Sequence, residues 1–145
     1  MKIRDLKKED ILLLSKIVSL NYSKKYGENS KKEIEASFEN KIIPPKYLVA
    51  EEKGKIFGFA GYIQSWMDYS VYNIFWVNVH PDYQKQNIGS KLVKEVIKKI
   101  KSIKGDYKAK MILLTTTKPK FYSERFGFEI MSSLGKDEVL MSLKF

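Results

Sequence analysis

A single α/β domain, with a mixed sheet carrying helices on its faces, is the fold this sequence predicts. Three observations predict it. The 145 residues suit one core, and a hydrophobic content of 43% with two Trp, nine Tyr and eight Phe can fill it. Short β-branched and aromatic runs alternate with segments of helical period. No repeat, low-complexity tract or Pro/Gly/Ser-rich linker divides the chain, so the domain is expected to span residues 1–145.

Residues Lys2–Leu6 read as a first strand. From about Lys8 to Tyr26 the apolar positions Ile11, Leu14, Val18 and Tyr22 recur at three and four, which predicts a helix. Gly27 is its expected stop. Asn29 or Ser30 is the expected cap of a second helix reaching about Asn40, with Ile34 and Phe38 one turn apart. Pro44-Pro45 breaks the pattern. Tyr47–Glu52 reads as a strand, Lys53-Gly54-Lys55 as a hairpin turn and Ile56–Trp66 as a long strand containing Gly58 and Gly61. Met67–Ser70 is the next turn. Tyr72–Val79 is a β-branched and aromatic strand ended by His80-Pro81.

The clearest helix runs from Ile88 to about Lys104. Ile88, Leu92, Val93, Val96, Ile97, Ile100 and Ile103 form one apolar stripe, and the lysines fall mostly on the other faces. Gly105 is its expected end. Met111–Thr116 is a strand, Pro119–Phe126 a short helix stopped by Gly127, and Phe128–Ser132 and Val139–Leu143 the last strands. The predicted order is β-α-α-β-β-β-α-β-α-β-β.

Composition removes several kinds of chemistry. There is no Cys, which excludes disulfides, Cys-ligated metal and a Cys nucleophile. His80 is the single His, so no His cluster can hold a metal and none is expected. The N-terminal MKIRDLKKED lacks an apolar signal core, and no apolar run approaches a membrane span. A soluble, cytoplasmic protein without a membrane partner is expected. The formal charge of +10 raises the question of nucleic acid. Only Arg4 and Arg125 of the 27 basic residues are Arg, however, and the lysines are spread along the whole chain. Phosphate and base-edge readers lean on the bidentate fork of Arg. A solvated Lys-rich surface is therefore the expected reading, and nucleic acid is not the expected partner.

The sharpest local feature is the junction from Val77 to Ser90, VNVHPDYQKQNIGS. A strand ends, a short polar loop turns, and the long helix starts. The first turn of a helix has unpaired N–H groups and partial positive charge, which suits phosphate, especially where a Gly such as Gly89 admits close approach. Spacing alone leaves this open between a phosphate-binding turn and a βα connection whose Gly serves packing.

The stretch VHPDYQKQNIGSKLV resembles motif A of the GNAT superfamily of N-acetyltransferases, Gln/Arg-x-x-Gly-x-Gly/Ala between a strand and a helix. Gln84, Ile88 and Gly89 match it, as do the preceding Val-x-Val-His-Pro and the following Lys91-Leu92-Val93. A second match follows: Phe121-Tyr122-Ser123-Glu124-Arg125-Phe126-Gly127-Phe128 resembles the family's motif B, Phe-Tyr-x-x-x-Gly-Phe. The interval fits one helix and one strand, as the family requires. One position departs, since the first Gly of motif A is Asn87. Asn tolerates positive φ better than other non-Gly residues, so the turn is expected to survive. Its side chain approaches where the pyrophosphate is expected.

The resemblance implies a GNAT-like mixed, mostly antiparallel sheet of six to seven strands flanked by about four helices, of class α/β (α+β). It implies acetyl-CoA as cosubstrate, transfer of the acetyl group to a primary amine by direct attack, and no metal. Main-chain groups of Val77, Asn78 and Val79 would pair with the pantetheine arm. Amides from Lys85, Gln86, Asn87, Ile88, Gly89 and Ser90 would take the pyrophosphate, with charge added by Lys85 and Lys91. Tyr122 would be the general acid that protonates the departing thiolate. The base is open. Residues 69–79 contain no acid, Asp68 and Asp82 flank that strand, and Glu28 borders the region where relatives bind acceptor. Trp66, Met67, Tyr69, Tyr72 and Trp76 are candidate pocket residues, with core and sheet packing the expected role for most. His80 is expected to be structural. The acceptor is expected to be a small-molecule or peptide amine, and a homodimer is one expected state because dimers are common in the family. A non-catalytic acyl-CoA-binding or sensor domain of the same fold is the second reading, and a basic nucleic-acid-binding module the third.

Overall fold

The computed structural model describes all residues from Met1 to Phe145. Seven strands, β1 (Lys2–Asp5), β2 (Lys46–Glu52), β3 (Lys55–Gln64), β4 (Val71–Val79), β5 (Met111–Thr116), β6 (Glu129–Ser133) and β7 (Val139–Lys144), form one sheet in the order β1-β2-β3-β4-β5-β7-β6. Every neighbouring pair is antiparallel except β4 and β5. A parallel pair needs a crossover. The helix α3 (Ile88–Lys101) supplies it. The other helices are α1 (Ile11–Asn21), α2 (Lys24–Ser37) and α4 (Pro119–Phe126). The expected mixed, mostly antiparallel sheet with four helices is what the chain forms.

The central strands β2, β3 and β4 carry long apolar runs because helices cover both faces of the sheet there. On β2, Leu48 and Ala50 join Leu92, Val93, Val96 and Ile100 of α3 in one core. Tyr47 and Val49 face the other way and join Leu14, Ile17, Val18 and Ile34 of α1 and α2. A period of two thus feeds two cores from one strand.

The first helical region departs from expectation. The chain breaks at Tyr22-Ser23, and the Ser23 side chain caps α2 by accepting the Tyr26 amide at 3.3 Å. Gly27 stops nothing, and neither Asn29 nor Ser30 is a cap, since all three lie inside α2. Gly27 is buried at the crossing with α1, where a Cβ would stand 1.8 Å from Ser19 Oγ and 2.9 Å from the Ser15 carbonyl oxygen. The glycine lets two helices touch through backbone. Gly27→Ala should therefore destabilise the fold by roughly 1–3 kcal/mol, the usual cost of overpacking. Pairing it with Ser19→Ala should restore only part of the loss, because the Ser15 carbonyl remains. Denaturant midpoints of the single and double variants measure both effects.

Two devices open the sheet at its centre. Along β3 and β4, Phe59 faces Asn78 but Gly61 faces Phe75, so β4 carries one extra residue, and Trp76 there has φ 49°. This is a β-bulge, which bends a strand and increases its twist. On the other side, β4 pairs with β5 only through Val71–Asn73 and Met111–Leu113. Beyond those residues the strands diverge, leaving a wedge between Ile74–Val79 and Leu114–Thr116.

Candidate functional site

The wedge ends at the turn from His80 to Asn87. His80 Nδ1 accepts the Asp82 amide at 3.1 Å and so caps the short 3-10 turn Pro81–Tyr83, the structural role expected of it. Gln84 folds back: its Nε2 donates to the Val79 carbonyl and to Asn21 Oδ1, both at 3.1 Å. Asn21, the last residue of α1, donates to the same carbonyl at 2.9 Å and to Asn78 Oδ1 at 3.0 Å. Asn78 is 3% exposed. Three amide side chains therefore clamp the end of β4 to α1.

Lys85 and Asn87 both lie at φ 64°. Two left-handed residues two apart throw the chain sharply into α3, and Asn87 is its N-cap. The first helical hydrogen bond runs from the Lys91 amide to the Asn87 carbonyl at 3.1 Å. No side chain caps the turn, so the amides of Ile88, Gly89 and Ser90 have no helical partner. Ile88 is buried and anchors the turn, whereas Lys85, Gln86 and Asn87 are exposed. A Cβ on Gly89 would meet nothing nearer than Val79 Cγ2 at 3.7 Å and Phe121 Cζ at 3.8 Å. Packing does not demand glycine there.

Arg125 is the residue that the sequence reasoning passed over. Its Nη1 donates to Asn87 Oδ1 at 3.2 Å and to Ser90 Oγ at 2.5 Å, and its guanidinium lies 5.2 Å from the centre of the Phe121 ring. The Asn87 side chain is thereby drawn toward α4. The other Arg, Arg4, is held by Asp10 at 2.8 and 3.0 Å and by Glu51 at 3.1 Å. Arg125 is thus the one guanidinium beside the open helix start. A helical spacing of i, i+4 from Phe121 was the available signal.

On α4, Tyr122 is 8% exposed and its ring packs edge-on against Phe121 and Phe128. Its hydroxyl makes no hydrogen bond in the protein, yet it is not among the fully enclosed polar atoms. Burial pushes its pKa up to about 12, with a further push from the Tyr22 phenol. The phenol therefore holds its proton at neutral pH and can donate it. Tyr22, the residue that follows α1, lies 6.3 Å from Trp76 ring to ring.

The candidate acids fare unequally. Asp68 Oδ1 accepts the Ser70 amide at 2.8 Å and the Ser70 hydroxyl at 2.6 Å, and these bonds hold its carboxyl below its usual range. It closes a turn. Glu28 lies within α2 rather than between helices and is exposed. Asp82 is exposed in the 3-10 turn. The carboxylate that reaches β4 is instead Glu33 of α2, whose Oε2 accepts from Trp76 Nε1 at 2.6 Å. Of the aromatic candidates, Tyr72 packs in the core with its hydroxyl on the Tyr107 carbonyl at 2.8 Å. Trp66 and Met67 do not pack: they are 80% and 77% exposed, because the Ser65–Ser70 turn closes on Asp68 and leaves them outside. No group of three or more His, Cys, Asp or Glu is arranged to hold a metal ion. No helix is long and apolar enough to cross a membrane.

An open wedge in a mixed sheet, with a bulged strand on one side and a free helix start at its end, gives this α/β fold a cleft that runs to unpaired amides. The chain belongs to the GNAT acetyltransferases: residues 44–130 match the family described as the acetyltransferase (GNAT) domain. Its fold is similar to that of a protein assigned to the GNAT acetyltransferase family from Desulfovibrio desulfuricans, at TM-score 0.85 and 18% identity over 99% of this chain and 98% of that one. An aminoglycoside 6'-N-acetyltransferase complexed with coenzyme A is similar at TM-score 0.80 and 19% identity, over 99% and 97%. An N-acetyltransferase from Thermoplasma acidophilum in complex with coenzyme A follows at TM-score 0.73 and 22% identity, over 99% and 98%. No curated protein matches this chain in sequence.

Proposed function

We propose that this chain is a single-domain, acetyl-CoA-dependent N-acetyltransferase acting on a primary amine. The observation that carries the reading is the wedge itself. Strand edges unpaired beyond Asn73 and Leu113 lead to the free amides of Ile88, Gly89 and Ser90. Main-chain groups of Val77, Asn78 and Val79 would hold the pantetheine arm as a further strand, except the Val79 carbonyl, which already accepts from Asn21 and Gln84. The amides from Lys85 to Ser90 would hold the pyrophosphate, with Arg125 adding a guanidinium that Lys-rich surroundings lack. The donor supplies an activated acetyl thioester. Tyr122 would deliver its proton to the departing sulfur as the amine's nitrogen bonds to the acetyl carbon and the carbon–sulfur bond breaks. The proton lost from nitrogen leaves through solvent, and solvent restores the phenol.

The direct test is release of free thiol from acetyl-CoA in the presence of a panel of primary amines. The protein has no Cys, so its own thiols add no background. Amine-dependent release supports the reading. A melting-temperature rise with acetyl-CoA but no turnover with any amine would favour the non-catalytic acyl-CoA-binding domain.

Asn87 offers a finer test. At φ 64° glycine is at ease and valine is strained by roughly 1–3 kcal/mol. Asn87→Gly should keep the stabilisation by CoA, losing only the exposed contact to Arg125. Asn87→Val should lower both stability and CoA affinity. Equal melting curves and equal CoA titrations for the two variants would show that the turn has no such requirement.

A further inference from the structure

Glu33 lies on α2 in a chain of net charge +10. It is the carboxylate that α2 delivers to β4, and no ion pair engages it, whereas its neighbour Glu35 pairs with Lys31 at 3.8 Å. One oxygen accepts from Trp76 Nε1, and the other carries no hydrogen bond. Beside it, Tyr22 and Tyr26 are 61% and 54% exposed, with rings edge-to-face at 6.0 Å. Tyr22 meets Trp76 at 6.3 Å, again edge-on. Aromatic rings carry negative potential on their faces, which attracts cations. The cluster stands on the bulged residue of β4, the strand that forms one side of the wedge. Aromatic faces, a carboxylate with an open oxygen and the wedge therefore converge.

Resting on the acetyltransferase reading, we propose that Glu33 with Tyr22, Tyr26 and Trp76 forms the acceptor site, and that the acceptor is a singly charged primary ammonium on an apolar or aromatic body. A single carboxylate balances one charge. The aromatic walls take the apolar body, and the net charge of +10 disfavours any second or third cationic group. Polyamines are thus poor acceptors here.

The chain has two tryptophans, and Trp66 is exposed in a turn. Trp66→Phe leaves Trp76 as the sole indole reporter, hydrogen-bonded to Glu33. Titration of that protein with benzylammonium should give a saturable fluorescence change, and benzyl alcohol and spermine should give much weaker ones. Glu33→Gln keeps an acceptor for Trp76 Nε1 but removes the charge, so the indole stays placed. It should weaken benzylammonium binding by roughly tenfold to a hundredfold, the range for a charge-assisted hydrogen bond, and leave the thermal shift with CoA unchanged. In turnover the same variant should raise KM for the amine far more than it lowers kcat. No saturable change with benzylammonium overturns the proposal, as does equal affinity in Glu33→Gln or tighter binding of spermine. Amine-dependent thiol release that is indifferent to Glu33→Gln would sink this acceptor site and leave the acetyltransferase standing. Saturable, Glu33-dependent binding without turnover of any amine would uphold the site and sink the catalytic reading.

Discussion

Tyr122→Phe is expected to cut the single-turnover rate by roughly a hundredfold to ten-thousandfold, the range for loss of a general acid. The thermal shift with acetyl-CoA should stay where it is. The ring contributes the packing: Tyr122 lies edge-on to Phe121 and Phe128 in a buried aromatic group, and phenylalanine keeps every one of those contacts. The hydroxyl has no partner in the protein to lose. In the proposed mechanism only the departing sulfur needs its proton, and that need arises in the transition state. A fall in rate without a fall in cofactor affinity marks an interaction of that kind. Single-turnover measurement is required, because product release could otherwise mask the chemical step. The raised pKa, about 12, adds a check on sign. The acidic form predominates at all ordinary pH values, so wild type should show no loss of acid function through the neutral range. If the Phe variant equals wild type in a single turnover, Tyr122 is a packing residue and another proton source must be found.

How far the sequence could be read depended on how local the determinants were. The helix Pro119–Phe126 was legible to the residue because Pro119 pre-sets its first turn and Gly127, at φ 80°, takes the left-handed position that ends it. The start of α3 at Ile88 was equally local. Its end was not: the stripe continues to Ile103, but the helix stops at Lys101, since Ile103 can still pack on the core from an irregular segment. The break at Tyr22-Ser23 was hidden for a related reason. The apolar period runs on through Tyr22, and Gly27 looks like a stop when its actual work is to let α1 and α2 touch.

Two features of the site lay beyond sequence patterns. The bulge at Trp76 puts an aromatic residue at φ 49°, which nothing in the run Tyr72–Val79 announces. The Glu33–Trp76 bond joins residues 43 apart in sequence, brought together only by the packing of α2 on the sheet. The run Tyr72–Val79 holds no acid, and the carboxylate that meets it is delivered from α2. Motif A itself was legible because its requirements are carried by consecutive residues, and Asn87 meets the demand for a left-handed backbone that a glycine would otherwise meet.

Gly89→Glu should abolish the stabilisation by acetyl-CoA while leaving the apoprotein folded. A ligand at a hundred times its Kd raises stability by roughly 2.7 kcal/mol, which for a chain of this size is several degrees in Tm. That rise should disappear. The reason is electrostatic as well as steric. Ile88, Gly89 and Ser90 present amides to which nothing else bonds, and a carboxylate at position 89 would put negative charge where the phosphate is proposed to bind. The fold should tolerate the change. A Cβ at this position meets only Val79 and Phe121 at ordinary van der Waals distance, and a glutamate in the first turn of a helix is itself stabilising by roughly 0.3–1 kcal/mol. The apoprotein should therefore melt at or slightly above the wild-type temperature. Gly89→Ala separates the two causes: it adds the Cβ without the charge and should retain most of the shift. Differential scanning fluorimetry of the three proteins with and without acetyl-CoA is sufficient. An undiminished shift in a folded Gly89→Glu protein would move the phosphate site away from the start of α3.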